Sequence, residues 1–324
     1  ATSCGAIEST VSAKAVGADI VKFQTYKTER IVTKQAILAA YQQESDPELL
    51  SQYQLLKGLE LGYEDFVRLK AHCDEIGIEF LSTPDEEESL EFLLQLGLAR
   101  LKIGSGEATN VPFLRKVACA GLPLIVSTGM CDLEETHFLV NTLRSGGVPA
   151  EQLCLLHCNS GYPTPMSDAN LHALGTLRRE FGLAVGYSDH TMGIHAPIAA
   201  VALGATVIEK HFTLDTTLPG PDQSLSLDPR RFTEMVCCIR EIEQALGDGV
   251  KQASPSEVVN REIVRKFIVA ERPIARGEQF TAENLTTKRT GGGVSAKDWD
   301  AILGKCARND YVPDERIATD ELER

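Results

Sequence analysis

Two histidines occupy the positions that most clearly suggest chemistry. His190 ends an apolar segment that begins at Ala184, and His211 ends a similar segment that begins at Thr206. The spacing leaves room for one helix and a return, so the two segments read as consecutive strands of one parallel sheet. Neutral imidazoles at adjacent strand ends are suitable ligands for a divalent metal, and we therefore predict a metal site formed by these two histidines.

Polar side chains also end the other strand-like segments. Two lysines and several hydroxyl groups at one edge of a sheet would bind a compact anion that carries both a phosphate and a carboxylate. A single strand-end serine or threonine is more simply explained as a helix cap, but agreement across seven segments favours a shared site. The polar residues are Lys22, Gln24, Ser82, Thr83, Lys102, Ser105, Glu107, Ser127, Thr128, Ser160, Tyr162, Ser188 and Glu209.

The elements that must position these residues follow a regular rhythm. Apolar strands alternate with helical stretches, and after the first pair they recur every 21 to 30 residues or so. This pattern predicts an α/β fold of the (β/α)8 TIM-barrel type, with seven of the eight strands recognisable. The predicted strands are 19–24, 78–83, 100–104, 123–127, 153–158, 184–188 and 206–210.

Composition shifts divide the chain into parts. We predict a barrel domain over residues 1–250, a linker over 251–264 and a small β-rich domain over 265–324. A helix is expected from Pro229 to Leu246, and the segment 27–57 is long enough to be an excursion that covers the barrel mouth.

Bulk properties restrict the class of protein. The chain has 324 residues, a net charge of -14 and 43% hydrophobic residues, which argues against general binding to nucleic acid or to anionic membranes. It has no apolar run of membrane-spanning length. Nine cysteines without a CxxC pair fit reduced thiols and a cytoplasmic location. A soft-metal cluster of Cys154, His157 and Cys158 is disfavoured because alternation puts the histidine on the other strand face.

Eight ordered motifs resemble the sialic acid synthase family, which includes N-acetylneuraminate, legionaminate and pseudaminate synthases. They are Val21-Lys-Phe-Gln24, Phe80-Leu-Ser-Thr-Pro84, Leu101-Lys-Ile-Gly-Ser-Gly-Glu107, Val126-Ser-Thr-Gly-Met130, Tyr162-Pro-Thr-Pro165, Tyr187-Ser-Asp-His190, Val207-Ile-Glu-Lys-His-Phe212 and Pro219-Gly-Pro-Asp222. The segment from Arg265 to Leu322 resembles the antifreeze-like (SAF) domain that follows the barrel in this family.

The resemblance implies an activity and a set of roles. Family members condense phosphoenolpyruvate with an N-acylated hexose such as N-acetylmannosamine, and release phosphate as a nine-carbon 2-keto sugar acid forms. Lys22, Thr83, Lys102, Ser105, Ser127, Ser160 and Ser188 would hold phosphoenolpyruvate, and Gln24, Tyr162 and Asp222 would contact the sugar. Glu107 or Glu209 would handle protons. His190 and His211 would bind Mn2+, with Mg2+ or Co2+ as alternatives. Arg289 would reach the N-acyl group from the partner subunit of a domain-swapped homodimer.

The chain departs from the family pattern at several places. Family barrels open with a further strand that carries a glutamate, and only about eleven residues precede the recognisable Ser12, so we expect that strand to be absent. Asp85 stands where an aromatic residue is commoner, Gln223 where many relatives have histidine, and Thr290 and Gly292 alter the loop after Arg289. These changes are expected to affect the choice of sugar more than the type of reaction.

Two other functions remain open from the sequence. A homologue that has lost catalysis could act as a binding or oligomerisation partner, although retention of anion and metal ligands argues against it. A synthase acting on a phosphorylated sugar would need an additional basic cluster at the mouth, and none is evident. The sequence does not choose among N-acetylmannosamine, its 6-phosphate and a diacetylated 6-deoxy sugar, although the Pro219–Asp222 motif favours sialate or legionaminate over pseudaminate by resemblance.

Overall fold

The structure is a computed structural model that describes residues 3–38, 51–218 and 220–323. The chain divides into two units, Ala1–Gly247 and Asp248–Arg324. No helix within these described ranges is long and apolar enough to cross a membrane.

Strands and helices alternate through the first unit. In chain order they are α1 (Ser3–Ala15), β1 (Ile20–Thr25), α2 (Thr28–Ile31), α3 (Gln52–Leu59), α4 (Tyr63–Ile76), β2 (Glu79–Pro84), α5 (Glu87–Gln95), β3 (Leu101–Ile103), α6 (Val111–Cys119), β4 (Leu124–Ser127), α7 (Leu133–Ser145), β5 (Leu153–Cys158), α8 (Ala173–Phe181), β6 (Ala184–Asp189), α9 (His195–Ala202), β7 (Ile208–Lys210) and α10 (Pro229–Leu246).

All seven predicted strands form, and all their pairings are parallel. β1 pairs with β2, and a second sheet has the order β3-β4-β5-β6-β7. The mixed α/β architecture with a parallel half-barrel sheet is thus confirmed, while closure into a complete (β/α)8 barrel stays a prediction. Among the described residues, helix α1 and not a strand precedes β1.

Local sequence signals explain where helices begin and end. Asp132 and Glu135 form a reciprocal capping box at the start of α7, and Asp228 accepts a hydrogen bond of 2.7 Å from the backbone N–H of Arg231 at the start of α10. Gly77 ends α4 with a φ of 73°, a left-handed conformation that glycine adopts without strain. The predicted helix Pro229–Leu246 forms with the predicted bounds. In the predicted excursion 27–57, residues 39–50 lie outside the described part of the chain.

The strands carry two layers on one face. Leu81, Ile125 and Leu156 form an apolar cluster, with Ile20 and Val207 packed against it. Two residues further along each strand, on the same face, stand polar side chains. These residues are Lys22, Thr83, Ser127, Cys158 and Glu209. The apolar layer therefore forms a floor beneath a polar layer at the carboxyl ends of the strands, which we call the mouth.

The second unit is smaller and has its own core. It contains α11 (Pro255–Val264), β8 (Phe267–Ala270), β9 (Leu285–Lys288) and α12 (Trp299–Ile302), with β8 and β9 antiparallel. Ile268, Phe280 and Ile317 are among its buried residues. Helix α11 lies within the segment 251–264 that we expected to be a linker, and the domain boundaries themselves stay predictions.

Replacing Gly186 with alanine is expected to destabilise the first unit. An added methyl group would lie 2.4 Å from the carbonyl oxygen of Val207 and 2.5 Å from Leu156 Cδ2, so the floor of the mouth would have to shift. We expect Gly186→Ala to cost about 1–3 kcal/mol of unfolding free energy, measured by chemical denaturation. Gly58→Ala in α3 is the matched control, because its methyl group would meet no atom within 4 Å. Equal stability of both variants would contradict this packing.

Candidate active site

Glu209 on β7 binds the two predicted lysines at once. Its Oε1 lies 2.9 Å from Lys22 Nζ on β1, and its Oε2 lies 3.3 Å from Lys102 Nζ on β3. The side chain of Lys102 is 5% exposed and that of Glu209 is 19% exposed. The structure therefore brings together three strands that are distant along the chain, and it places both ammonium groups at the mouth.

The charge state of this cluster follows from its contacts. Burial opposes ionisation of Glu209, but the Lys102 and Lys22 ammonium groups outweigh burial and lower the pKa of this carboxyl. Burial likewise opposes the charge on Lys22, yet Glu209 outweighs it and the pKa of Lys22 is raised. For the more deeply buried Lys102, burial dominates and lowers the pKa. Glu209 is thus an ionised anchor for a firmly charged Lys22.

Hydroxyl groups surround the lysines. Lys102 Nζ donates a 2.7 Å hydrogen bond to Ser127 Oγ, and the backbone N–H of Gly129 donates a 2.9 Å hydrogen bond to Ser105 Oγ. A methyl group on Gly129 would lie 2.5 Å from Ser160 Oγ and 2.8 Å from Ser105 Oγ, so glycine lets both hydroxyls approach the backbone here.

Two further hydroxyls complete the set. Thr83 Oγ1 is buried and has no hydrogen-bond partner among the described residues. Ser188 is 3% exposed and lies on β6, paired in register with Glu209 on β7. A buried hydroxyl without a partner costs free energy, so Thr83 is better satisfied when an acceptor enters the mouth.

The two predicted metal ligands are adjacent. The ring centroids of His190 and His211 are 5.2 Å apart, and Tyr162 packs against both rings at 4.1 Å and 5.8 Å. His190 Nδ1 lies 2.6 Å from the carbonyl oxygen of Asn159, and His211 Nδ1 lies 3.6 Å from Asp222 Oδ2. The structure therefore brings together His190, His211, Tyr162 and Asp222.

The histidine pair fits a divalent metal in its protonation chemistry. A carbonyl oxygen only accepts, so His190 donates from Nδ1 and keeps the lone pair of Nε2 for a ligand. Burial lowers the pKa of His190, and burial together with Lys22 lowers the pKa of His211 to about 3. Both rings are neutral at pH 7, as metal ligands must be. Across the described ranges, no group of three or more His, Cys, Asp or Glu side chains forms a metal cluster, so the two imidazoles would need oxygen ligands from water or substrate.

Two further carboxyl groups lie at the mouth. Glu107 accepts a 2.6 Å hydrogen bond from Asn110 Nδ2, and burial raises its pKa. Asp85 directly follows β2. Burial raises the pKa of Asp85 to about 7; Lys22 opposes this shift and Glu107 reinforces it. Sequence reasoning misses Asp85 as a site residue, and its only signal there is that it departs from the family pattern.

The roles of the remaining residues that the sequence indicates stay predictions. Gln24 is exposed at the end of β1. Arg289 is exposed and belongs to the second unit, directly after β9. Pro219, the first residue of the Pro219–Asp222 motif, lies outside the described residues. Strand alternation disfavours a soft-metal cluster of His157 with Cys154 and Cys158. The Nε2 of His157 lies 2.9 Å from the carbonyl oxygen of Ala169.

Known proteins match this chain over most of its length. An N,N'-diacetyllegionaminic acid synthase of Legionella pneumophila is 47% identical over 295 residues, which cover 90% of this chain and 83% of the relative. The N,N'-diacetyllegionaminic acid synthase of Campylobacter jejuni is 46% identical over 93% of this chain and 90% of the relative. A solved N-acetylneuraminic acid synthetase of Leptospira borgpetersenii superposes with a TM-score of 0.70 at 32% identity, covering 81% of this chain and 87% of the other.

Family profiles give the same result. The profile described as the NeuB family matches residues 10–251, and the profile described as the SAF domain matches residues 265–323. The first profile spans the strands that carry Lys22, Lys102 and Glu209, and it includes His190 and His211, which directly follow β6 and β7. With these matches, the polar mouth and the parallel strands beneath it, the chain belongs to the NeuB family of sialic-acid-type synthases and carries a SAF domain.

Proposed function

We propose that this chain is a metal-dependent synthase that condenses phosphoenolpyruvate with an N-acylated hexose aldehyde and releases phosphate. The observation that carries the proposal is the bridge from Glu209 to Lys22 and Lys102, on the same strand face as two neutral histidines. A cationic, hydroxyl-rich mouth suits phosphoenolpyruvate, and a histidine pair suits the metal that an aldehyde acceptor needs.

Phosphoenolpyruvate would bind through the lysines and the surrounding hydroxyls. Glu209 neutralises part of the lysine charge in the free site, so the substrate's anionic groups compete with it for the same ammonium groups. Ser105, Ser127, Ser160 and Thr83 would add hydrogen bonds, and the bond from Thr83 would satisfy a buried hydroxyl that has no partner within the described part of the chain. Ser188 is the remaining hydroxyl in this proposed set.

The reaction forms a C–C bond and a C–O bond from water to C2, and it breaks the C–O bond between C2 and the phosphate group. The enol carbon C3 of phosphoenolpyruvate attacks the sugar aldehyde, water adds to C2, and phosphate leaves with the oxygen that joined it to C2. His190 and His211 would hold a divalent ion, which we propose is Mn2+ with Mg2+ or Co2+ as alternatives, and the bound ion would provide Lewis-acid polarisation of the aldehyde.

Proton handling falls to Glu107 in this proposal. Of the two glutamates that the sequence left open, Glu209 is held ionised by two lysines and is poorly suited to exchange protons. The pKa of Glu107 is raised by burial, which brings this carboxyl closer to the working pH of an acid or base. Glu209 instead positions Lys22 and Lys102.

The acceptor sugar is proposed to be a diacetylated 6-deoxy hexose. Both relatives at 46–47% identity are named N,N'-diacetyllegionaminic acid synthases, which favours this acceptor over N-acetylmannosamine. Tyr162, Asp222 and Gln24 would contact the sugar at the mouth. The family resemblance further supports a domain-swapped homodimer, in which Arg289 of the partner subunit would bind the N-acyl group.

Phosphate release is the direct test of this function. The full chain should release phosphate from phosphoenolpyruvate in the presence of Mn2+ and one member of a panel containing N-acetylmannosamine, its 6-phosphate and a diacetylated 6-deoxy hexose. His211→Ala should lower the rate by at least about 100-fold, since it removes a metal ligand. A folded wild-type chain that is silent with every sugar would instead favour the non-catalytic homologue.

The pH dependence of phosphoenolpyruvate binding should report on Asp85. Below about pH 7 its carboxyl is neutral, and above that pH it ionises and repels the anionic substrate. The ratio of the wild-type KM for phosphoenolpyruvate to that of Asp85→Asn should therefore rise by about fivefold between pH 6 and pH 8. The comparison with the variant cancels the titration of the substrate itself. A constant ratio would contradict the raised pKa.

A further inference from the structure

A charged pair lies behind the two candidate metal ligands. Asp189 precedes His190 on β6, Lys210 precedes His211 on β7, and the two residues are partners in the parallel register. Successive side chains of a strand point to opposite faces, so this pair lies on the face away from the mouth. Nothing in the proposed reaction uses either residue.

The pair is buried and makes several contacts. Lys210 Nζ lies 2.7 Å from Asp189 Oδ2, and both side chains are 0% exposed. Lys210 Nζ also donates to the carbonyl oxygen of Thr191, and Asp189 Oδ1 accepts a 2.9 Å hydrogen bond from the backbone N–H of Thr191. The Tyr187 hydroxyl faces the same carboxylate.

These contacts act on the backbone that carries His190. Asp189 and Lys210 hold both polar backbone groups of Thr191, the residue that follows the histidine. On the other side, the carbonyl oxygen of His190 accepts a 2.9 Å hydrogen bond from the backbone N–H of Thr164. The peptide groups around His190 are therefore fixed to β7 and to the loop after β5.

Stability alone is a poor explanation for this pair. Removing two charges from water costs several kcal/mol per ion, and apolar residues of similar volume are often as stabilising or more so. A buried pair in register does, however, fix the spacing of the two strand ends. The rings of His190 and His211, which directly follow the paired residues, lie with their centroids 5.2 Å apart.

We propose that Asp189 and Lys210 are positioning residues that set the distance and orientation of the His190 and His211 imidazoles for one divalent ion. The inference rests on the metal site of the proposed function. The pair acts through the backbone of Thr191 and through the β6–β7 register, and it touches neither substrate nor metal.

Metal affinity in a neutral double variant tests the inference. Asp189→Asn with Lys210→Met removes both charges with little change in volume, and the asparagine oxygen still accepts from Thr191 N–H. We expect the Kd for Mn2+, measured by electron paramagnetic resonance of free Mn2+, to rise by about 10-fold or more, as for other groups that orient metal ligands. The melting temperature of this double variant should stay close to that of the wild type, because the pair contributes little to stability.

Leu139→Ala is the matched control for a purely structural effect. Leu139 is fully buried in α7 and lies outside β6 and β7, so its truncation should destabilise the first unit and leave the Mn2+ Kd unchanged. If the first double variant does not fold, Asp189→Asn with Lys210→Gln keeps two neutral polar groups and should show the same loss of affinity.

Two outcomes would overturn the inference. One is an Mn2+ Kd within twofold of the wild type in a folded double variant. The other is an absence of Mn2+ binding by the wild-type chain itself. Phosphate release is measured on the same samples to distinguish failure of this inference from failure of the proposed condensation. If the double variant releases phosphate and its Mn2+ Kd is unchanged, only the positioning role is refuted.

Discussion

The ion pairs of Glu209 with Lys22 and Lys102 determine how the mouth is built. β1 and β7 belong to different sheets and share no ladder hydrogen bonds, so this carboxylate is a side-chain link between them. It also holds the deeply buried Lys102, whose charge burial opposes. Without Glu209, two ammonium groups would repel each other at close range. The firm charge of Lys22 and the side-chain link between β1 and β7 both depend on this one group.

The layers beneath the bridge explain why such charges are tolerated. Leu81, Ile125 and Leu156 fill the strand face below the lysines, and the polar groups begin two residues later on the same face. The side chains of Lys22 and Glu209 keep partial contact with solvent, at 27% and 19% exposure. The same alternation puts His190 and His211 on the mouth and Asp189 and Lys210 behind it. The alternation of side chains along each strand thus separates the histidines proposed to bind the metal from the charged pair proposed to position them.

Much of this arrangement was predictable from residue patterns. Strand 153–158 and helix Pro229–Leu246 formed with their expected bounds, because apolar runs, an aspartate cap and a terminal glycine are strong local signals. Residue patterns do not predict the contact between Lys22 and Glu209, because it depends on how strands that are distant in sequence come together. The same holds for the Asn159 carbonyl that orients His190, because any residue type supplies a carbonyl. Helix α11 forms in the segment that the sequence predicts to be a linker, and its apolar residues Val258, Val259 and Ile263 are exposed.

The fate of the bridging oxygen of phosphoenolpyruvate shows which bond the proposed condensation breaks. Phosphoenolpyruvate labelled with 18O between C2 and phosphorus should be incubated with the chain, Mn2+ and the accepted sugar, and both products analysed by mass spectrometry. We expect the label to leave with phosphate while the sugar acid takes its C2 oxygen from water. Label retained in the organic product, or phosphate released without any sugar acid, would contradict it.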